Sequence, residues 1–448
     1  MINRRKALIK RVEQLLPEPA PERHGHSVEL LCMGQAYFPA LLADIAAATH
    51  EVRLETYIFA RDAAGEQFFE ALKAAARRGV DVYLVLDGFG GREGVELYVP
   101  LLRKAGVRVR VFRPEGFVLK PNPRRLRRMH RKVAVIDRRI AYVGGINLID
   151  DFNHDEEQAQ AQSSALNAKR IPSHALGKLT ELAEGHLGPR YDFAVRLQGP
   201  AVLDVWKATE WLWWQIGPGG MVTDTLTSAW WKRRAEQFRD VLAAAALMEP
   251  PPACGKARVQ LVLRDNFRFR RTIERRYLQA IGQAHTSVVL ANAYFVPGRR
   301  FRMALIKAAE RGVKVQLLLQ GRVEHRFQHH ATQGLYSGLL RHGVEIFEYQ
   351  PSFLHAKVAV VDSSWATVGS SNIDPLSFLF AREANLLIHD PHFAATLKAN
   401  LTHAISNDAR KVMMDIHAAR PWQARALAWV CYKLMRLAVF VGGFSNRY

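Results

Sequence analysis

Apolar and polar positions alternate along the chain with two periods. The stretch "ALKAAARRGVDVYLVLDG" at 71–88 reads as an Ala-rich helix, a Gly at its C-terminal end, and an apolar strand. The same order returns in "ALIKAAERGVKVQLLLQG" at 304–321. "LLRKAGVRVRVF" at 101–112 matches "LLRHGVEIFEY" at 339–349, and "EVRLETYIF" at 51–59 pairs with "SVVLANAYF" at 287–295. The chain therefore repeats itself, with strands alternating with helices in both copies. This predicts an α/β protein of two related units, their largely parallel strands buried between helices.

A hairpin pattern follows each set. "MHRKVAVIDRRIAYVGGIN", Met129–Asn147, reads as a strand, a tight polar turn and a second strand. Side chains alternate along a strand, so His130 and Lys132 share a face, and Ala134 leaves room beside them. Val133 and Val135 line the other face. Taken alone, such a pair could sit at a solvated strand end. The stretch returns, however, as "LHAKVAVVDSSWATVGSSN", Leu354–Asn372. His355, Lys357 and Asp362 repeat the spacing of His130, Lys132 and Asp137. Gly144, Gly145 and Asn147 return as Gly369, Ser370 and Asn372. A duplicated structural hairpin needs its apolar and turn residues repeated, not His, Lys and Asn on one face.

Length and charge narrow the partner. With 448 residues the chain can bury two sizeable cores, and 49% apolar content excludes a disordered chain. The net charge of +21 implies a polyanionic partner, either nucleic acid or an anionic membrane surface. Cys32, Cys254 and Cys431 lack metal-ligand spacing and point to a reducing compartment without disulfides. No run of 18 apolar residues predicts a membrane-spanning helix. The opening "MINRRKALIKRVEQLLPEP" reads as a short amphipathic helix.

If the two motifs meet about a pseudo-two-fold axis, two His, two Lys and two Asn converge. The ammoniums and amides of Lys132, Lys357, Asn147 and Asn372 are donors suited to the non-bridging oxygens of one phosphodiester. One neutral His can attack phosphorus while the other protonates the leaving alkoxide and then deprotonates the next acceptor. The lysines supply the positive charge, so neither a metal nor another cofactor is called for. Each His wants an acceptor on its other ring nitrogen. Glu383 and Asp192 are the candidates, although either could be an exposed acid at a strand start. Asp137 and Asp362 belong to the repeated motif but follow the strand on the opposite face, as turn residues. The loop before His130 carries Arg113, Lys120, Arg124, Arg125, Arg127, Arg128 and Arg131 against Glu115, and reads as a guard drawing phosphates inward.

On these residues the chain resembles the phospholipase D superfamily, whose signature is H-x-K-x-x-x-x-D with a trailing G-G/S-x-N. "LETYIFARDAAGEQFFEALKAAARRGVDVYLVLDGFG", "RRMHRKVAVIDRRIAYVGGIN" and "YDFAVRLQGPAV" look like bacterial cardiolipin synthases, chiefly the shorter B type without N-terminal transmembrane helices. The resemblance implies two pseudo-symmetric α-β-α sandwich domains, His130 as nucleophile, His355 as acid/base, and Asp192 and Glu383 as orienting acids. It implies transfer between two phosphatidylglycerol molecules to give cardiolipin and glycerol, at the cytoplasmic side of the cell inner membrane. A phospholipase D ending the reaction with water would use the same residues. A basic nuclease and a catalytically dead membrane scaffold are further readings, the last opposed by two intact motifs.

The expected division is an N-terminal extension (1–28), a first domain (29–200), a Trp-rich helical linker (201–256), a second domain (257–415) and a basic tail (416–448). Trp206, Trp211, Trp213, Trp214, Trp230 and Trp231 fit either a lipid interface or a core between the domains. On a helical wheel the tail places Arg425, Lys433 and Arg436 with Trp422, Trp429 and Tyr432 on one side. Leu427, Val430, Cys431, Leu434, Leu437, Ala438 and Val441 fall on the other. Such a helix can lie on an anionic leaflet or pack on its own domain. The aromatic and basic tail favours lipid over nucleic acid as the partner.

Overall fold

The computed structural model describes residues 20–114, 127–153, 188–217, 241, 243, 247–265, 269–374, 377 and 381–441. The helix expected at the N-terminus, most of the basic loop, the polar insertion after Asn153, and Trp230 and Trp231 lie outside the described residues. Matched helices end as the repeats predict. Gly79 at φ 89° and Gly312 at φ 88° adopt the left-handed backbone that turns each chain segment into its next strand.

The first repeat supplies β1 (Arg23–Cys32), α1 (Met33–Ala47), β2 (Glu51–Thr56), α2 (Ala63–Arg77), β3 (Asp81–Asp87), α3 (Arg92–Lys104), β4 (Arg108–Phe112), β5 (Arg128–Met129), β6 (Lys132–Ile136), β7 (Ile140–Gly144) and β8 (Phe193–Gln198), and α4 (Val202–Gln215) follows. The second supplies β9 (Ala257–Arg264), α5 (Thr272–Gln283), β10 (Ser287–Asn292), α6 (Arg299–Glu310), β11 (Lys314–Gln320), α7 (Arg326–Gln333), α8 (Tyr336–Leu340), β12 (Glu345–Tyr349), β13 (Lys357–Val361), β14 (Trp365–Gly369) and β15 (Ala381–His389). It continues through α9 (Pro391–His403), β16 (Ala409–Lys411), α10 (Met414–Ala418) and α11 (Trp422–Val441).

All strands but β5 lie along one path, β16-β12-β11-β10-β13-β14-β15-β9-β1-β8-β7-β6-β2-β3-β4, and β5 pairs with β15. The order on either side of the β9–β1 contact is the same read outward, with β16 added at the end of the second half. The two α-β-α halves are thus joined edge to edge, with Arg23 opposite Val259 and His26 opposite Ala257. β1 begins ahead of the expected boundary at 29. Along this path only β2-β3-β4 and β10-β11-β12 are parallel, and off it β5 runs parallel to β15. The remaining pairs of the path are antiparallel, which corrects the largely parallel sheet expected. A tight turn such as the one joining β6 to β7 cannot connect parallel neighbours.

One face of the sheet carries a core shared by both halves, in which Val205 and Trp206 of α4 and Phe393 and Leu397 of α9 pack on Val133, Val195, Val358 and Leu386. The other face carries a separate core in each half. Under α4 the β2 face is polar. Arg53 Nη1 donates to Glu210 at 2.8 Å, and Trp206 Nε1 donates to Glu51 at 2.9 Å. Trp206, Trp211 and Trp213 are buried, so the interfacial reading does not hold for them. Arg131 is removed from the phosphate-drawing loop as well: its guanidinium lies on Glu55 at 2.7 and 2.8 Å, both side chains buried. Alternation along the strand turns Arg131 away from the face of His130 and Lys132.

The tail helix divides into three faces rather than two. Ala428, Cys431, Tyr432 and Met435 are buried, and Gly334 permits the approach, since a Cβ there would meet the Ala428 carbonyl oxygen at 2.8 Å. Cys431 therefore leaves the outward apolar face. Leu427, Val430, Leu434 and Leu437 remain exposed, as do Trp422 and Trp429. Among the described residues no helix is long and apolar enough to cross a membrane.

Candidate active site

Each motif histidine is held by the opposite half. The His130 amide donates to the Arg382 carbonyl at 3.0 Å, and His130 Nδ1 lies 3.1 Å from Glu383 Oε2. In mirror fashion the His355 amide donates to the Tyr191 carbonyl at 2.9 Å, and His355 Nδ1 lies 2.6 Å from Asp192 Oδ2. An ionised carboxylate on Nδ1 places the ring proton there and leaves Nε2 with its lone pair. The two rings face each other with centroids 6.5 Å apart and planes at 69°.

Lys132 and Lys357 are buried beside them, and each ammonium donates to the carbonyl of its own motif histidine. Lys357 also lies 3.4 Å from Asp192. Burial pushes Lys132 well below the ordinary lysine value, and Lys357 adds to this. Burial lowers Lys357 too, against the pull of Asp192. His130 is lowered by burial and then by Lys132, and His355 is lowered further by burial, Lys357 and Lys132. Both rings are therefore neutral at pH 7, as a nucleophile and a proton acceptor require. Burial raises the Asp192 carboxyl. For Glu383 burial acts the same way, but His130 and Arg264 outweigh it and hold the carboxyl below its ordinary value.

The asparagines are buried at the same end of the sheet. Asn147 Oδ1 accepts from the Ile58 amide at 3.2 Å, which fixes the side chain. Asn372 Oδ1 is buried with no hydrogen-bond partner among the described residues. The motif aspartates lie elsewhere. Asp137 accepts from the amides of Thr49, His50 and Glu51 at 2.8 Å, and Asp362 from Thr286 at 2.8 Å and Ser287 at 3.0 Å. Both sit in left-handed backbone, at φ 48° and 53°, where Asp is better tolerated than most residues. They fasten the hairpin turn to the start of β2 and β10. They sit in the turns, as the alternation along each strand predicts, so the motif brings His, Lys and Asn together but not its Asp. Among the described residues no group of three or more His, Cys, Asp or Glu side chains could hold a metal ion.

The family model described as cardiolipin synthase, PLD-like domain, matches residues 41–165 and again 277–405. The chain is 38% identical over 406 residues to cardiolipin synthase B of Escherichia coli (strain K12), covering 89% of this chain and 85% of that one. The chain belongs to the cardiolipin synthase family. It is also 29% identical to cardiolipin synthase A of Pseudomonas aeruginosa (strain LESB58) over 85% of this chain and 67% of that one. Its fold is similar to that of phosphatidylserine synthase from Haemophilus influenzae Rd KW20, with a TM-score of 0.63 at 12% identity, covering 97% of this chain and all of the other.

Several groups around this cardiolipin synthase family site escaped the sequence reading. Asp87, buried and pushed up to about 6 by burial, accepts from the Met129 amide at 2.8 Å. Gln320 accepts from the Leu354 amide at 2.9 Å. Each seats the residue before a motif histidine, and the two occupy the same position of the repeat, so aligning 71–88 with 304–321 gives the signal. The Tyr57 ring stands edge-on to His130 at 5.0 Å, where the second repeat has Ala293. Arg264 Nη2 donates to Glu383 at 3.2 Å, both side chains fully buried, and Ser370 Oγ donates to the same carboxylate. Opposite Ser370 the first repeat has Gly145. A Cβ there would stand 2.4 Å from both Asp192 oxygens, so the shorter acid and the missing side chain go together.

Proposed function

We propose that the chain joins two phosphatidylglycerol molecules into cardiolipin and glycerol. The crossed arrangement of His130 on Glu383 and His355 on Asp192, with the rings 6.5 Å apart, carries this reading. His130 Nε2 attacks the phosphorus of the first lipid. The P–O bond to the head-group glycerol breaks, and the departing oxygen takes a proton from His355, protonated once the anionic phosphodiester is bound. The neutral His355 then takes the proton of a hydroxyl on the second phosphatidylglycerol. That oxygen attacks the phosphatidyl–His130 bond and frees the ring. Lys132, Lys357, Asn147 and Asn372 hold the non-bridging oxygens as charge develops. Synthesis rather than hydrolysis is favoured by the family name of the relatives above, since the geometry serves either acceptor.

In this reading the enzyme works as a peripheral protein on the cytoplasmic face of the inner membrane. The exposed Leu427, Val430, Leu434 and Leu437 of α11 enter the leaflet, and Lys433 and Arg425 meet anionic head groups. The division into an extension, two catalytic halves, a linker from 201 to 256 and a tail from 416 is kept as part of the proposal. Purified protein on vesicles of labelled phosphatidylglycerol tests it. Cardiolipin with equimolar glycerol is expected; phosphatidic acid alone would make the chain a hydrolase, and lipid inertness with DNA cleavage would overturn the proposal. Leu434→Glu should cut vesicle binding several-fold, and unchanged binding would remove α11 from the membrane contact.

A further inference from the structure

A second place in the molecule is built for an anion. A cavity of about 450 Å³ lies between α6, α8 and α11, on the second half. Arg299, Arg302 and Arg436 line it, and no Asp or Glu is among its lining residues. Arg302 Nε is buried without a hydrogen-bond partner among the described residues. Its guanidinium stands 5.5 Å over the Tyr432 ring, which fixes it against α11. Burial lowers Arg302 from its ordinary range, and Arg436 and Arg299 press in the same direction. Arg299 and Arg302 also fall in the first turn of the twelve-residue α6, which has no acidic residue there. Cations are disfavoured at that end of a helix, and an anion is favoured. Arg299 and Arg302, both at the positive end of α6, repel one another, and an anion between them relieves that repulsion.

The remaining walls decide which anion. Met303, Ile306, Leu335 and Leu339 are apolar, and Met303 is exposed. A free inorganic anion gains nothing from such walls. The volume suits a phosphodiester head group with its glycerol, and leaves the acyl chains outside. Next to Arg436 on α11 stand the exposed Leu434 and Leu437, which do not line the cavity.

We propose that the cavity between α6, α8 and α11 holds the head group of one anionic phospholipid, apart from the lipids undergoing reaction at His130 and His355. The site docks the second half on the surface through a specific lipid, in addition to the apolar contact of α11. It rests on a lipid-surface setting for the enzyme but not on the identity of the product.

Arginine modification with phenylglyoxal, read peptide by peptide in the full chain, tests this. The probes are vesicles of phosphatidylcholine, the same vesicles with an anionic phospholipid, and inorganic phosphate without vesicles. Arg299 and Arg302 should be modified about tenfold more slowly on the anionic vesicles alone, the scale of one charge-assisted contact. Arg77, on α2 of the first half, serves as the exposed reference. Equal protection by inorganic phosphate would make this a free-anion site and overturn the lipid assignment. Equal protection by phosphatidylcholine would reduce it to shielding by the docked surface, and no protection would remove the site. Cardiolipin formation measured in the same vesicles separates the two readings: protection without product leaves the site standing and sinks the synthase.

Discussion

Glu383→Gln is the change that probes the crossed site most fully. Glu383 serves three partners, His130 Nδ1 at 3.1 Å, Arg264 Nη2 at 3.2 Å and Ser370 Oγ, and is completely buried. The amide keeps the shape and one acceptor oxygen but loses the charge. A hydrogen bond to a charged group contributes about 1.5–3 kcal/mol. Losing that from the step in which His130 becomes a cation lowers turnover about 10- to 150-fold. The buried ion pair of Glu383 with Arg264 is broken as well, a loss of about 3–5 kcal/mol. The substitution should therefore cost both activity and stability, read by product formation and by urea unfolding. Nitrogen-15 spectra of the imidazoles add the decisive signature. Glu383→Gln should move the Nδ1 resonance of His130 and leave His355 in place, and Asp192→Asn should do the reverse. If each acid instead perturbs the histidine of its own half, the crossed pairing is refuted.

The pH profile follows from the lowered histidines. Because burial holds both rings below 6.5, kcat/KM should fall on the acid side only below about 6.5. The bound phosphodiester favours protonated rings, so the acid limb of kcat should lie at higher pH; coincident limbs would contradict this. Three backbone amides outweigh burial and hold the Asp362 carboxyl at about 2. The folded value lies below the unfolded one of about 3.9, so its stabilisation is complete above that pH and is lost as pH falls toward 2. Asp362→Asn should be less stable by about 1 kcal/mol at pH 7, with the gap closing toward pH 2 in unfolding experiments; a constant gap would sink the argument. Gly145→Ser should lower turnover at least tenfold by displacing Asp192, while Ser370→Gly should be milder, because removing a side chain displaces nothing. Equal effects would count against the steric reason.

Much of this was legible because the chain states it twice. His130, Lys132 and Asn147 acquire meaning from His355, Lys357 and Asn372, and the glycines that end the helices mark the strands. What sequence could not give is which acid meets which histidine. Glu383 follows His355 in sequence, yet it is reached by His130, because β5 pairs with β15 across the axis. Arg131 looked like part of a basic loop, and only the partner on β2 reveals it as a buried ion pair. The tail was misread in one respect: a wheel separates two faces, whereas packing on α7 requires a third, supplied by Ala428, Cys431, Tyr432 and Met435. Asp87 and Gln320 were visible as a matched pair but carried no chemical signal, since what they accept is backbone N–H, from Met129 and Leu354 among others.

The central claim is that one histidine carries the phosphatidyl group. Acid- or base-quenched single turnovers with phosphatidylglycerol labelled in its diacylglycerol part, followed by peptide mapping, test it directly. The account predicts a labelled lipid attached through phosphohistidine on the peptide containing His130, absent in His130→Asn. Label on the His355 peptide, or turnover at the full rate with no labelled protein at any time point, would contradict it.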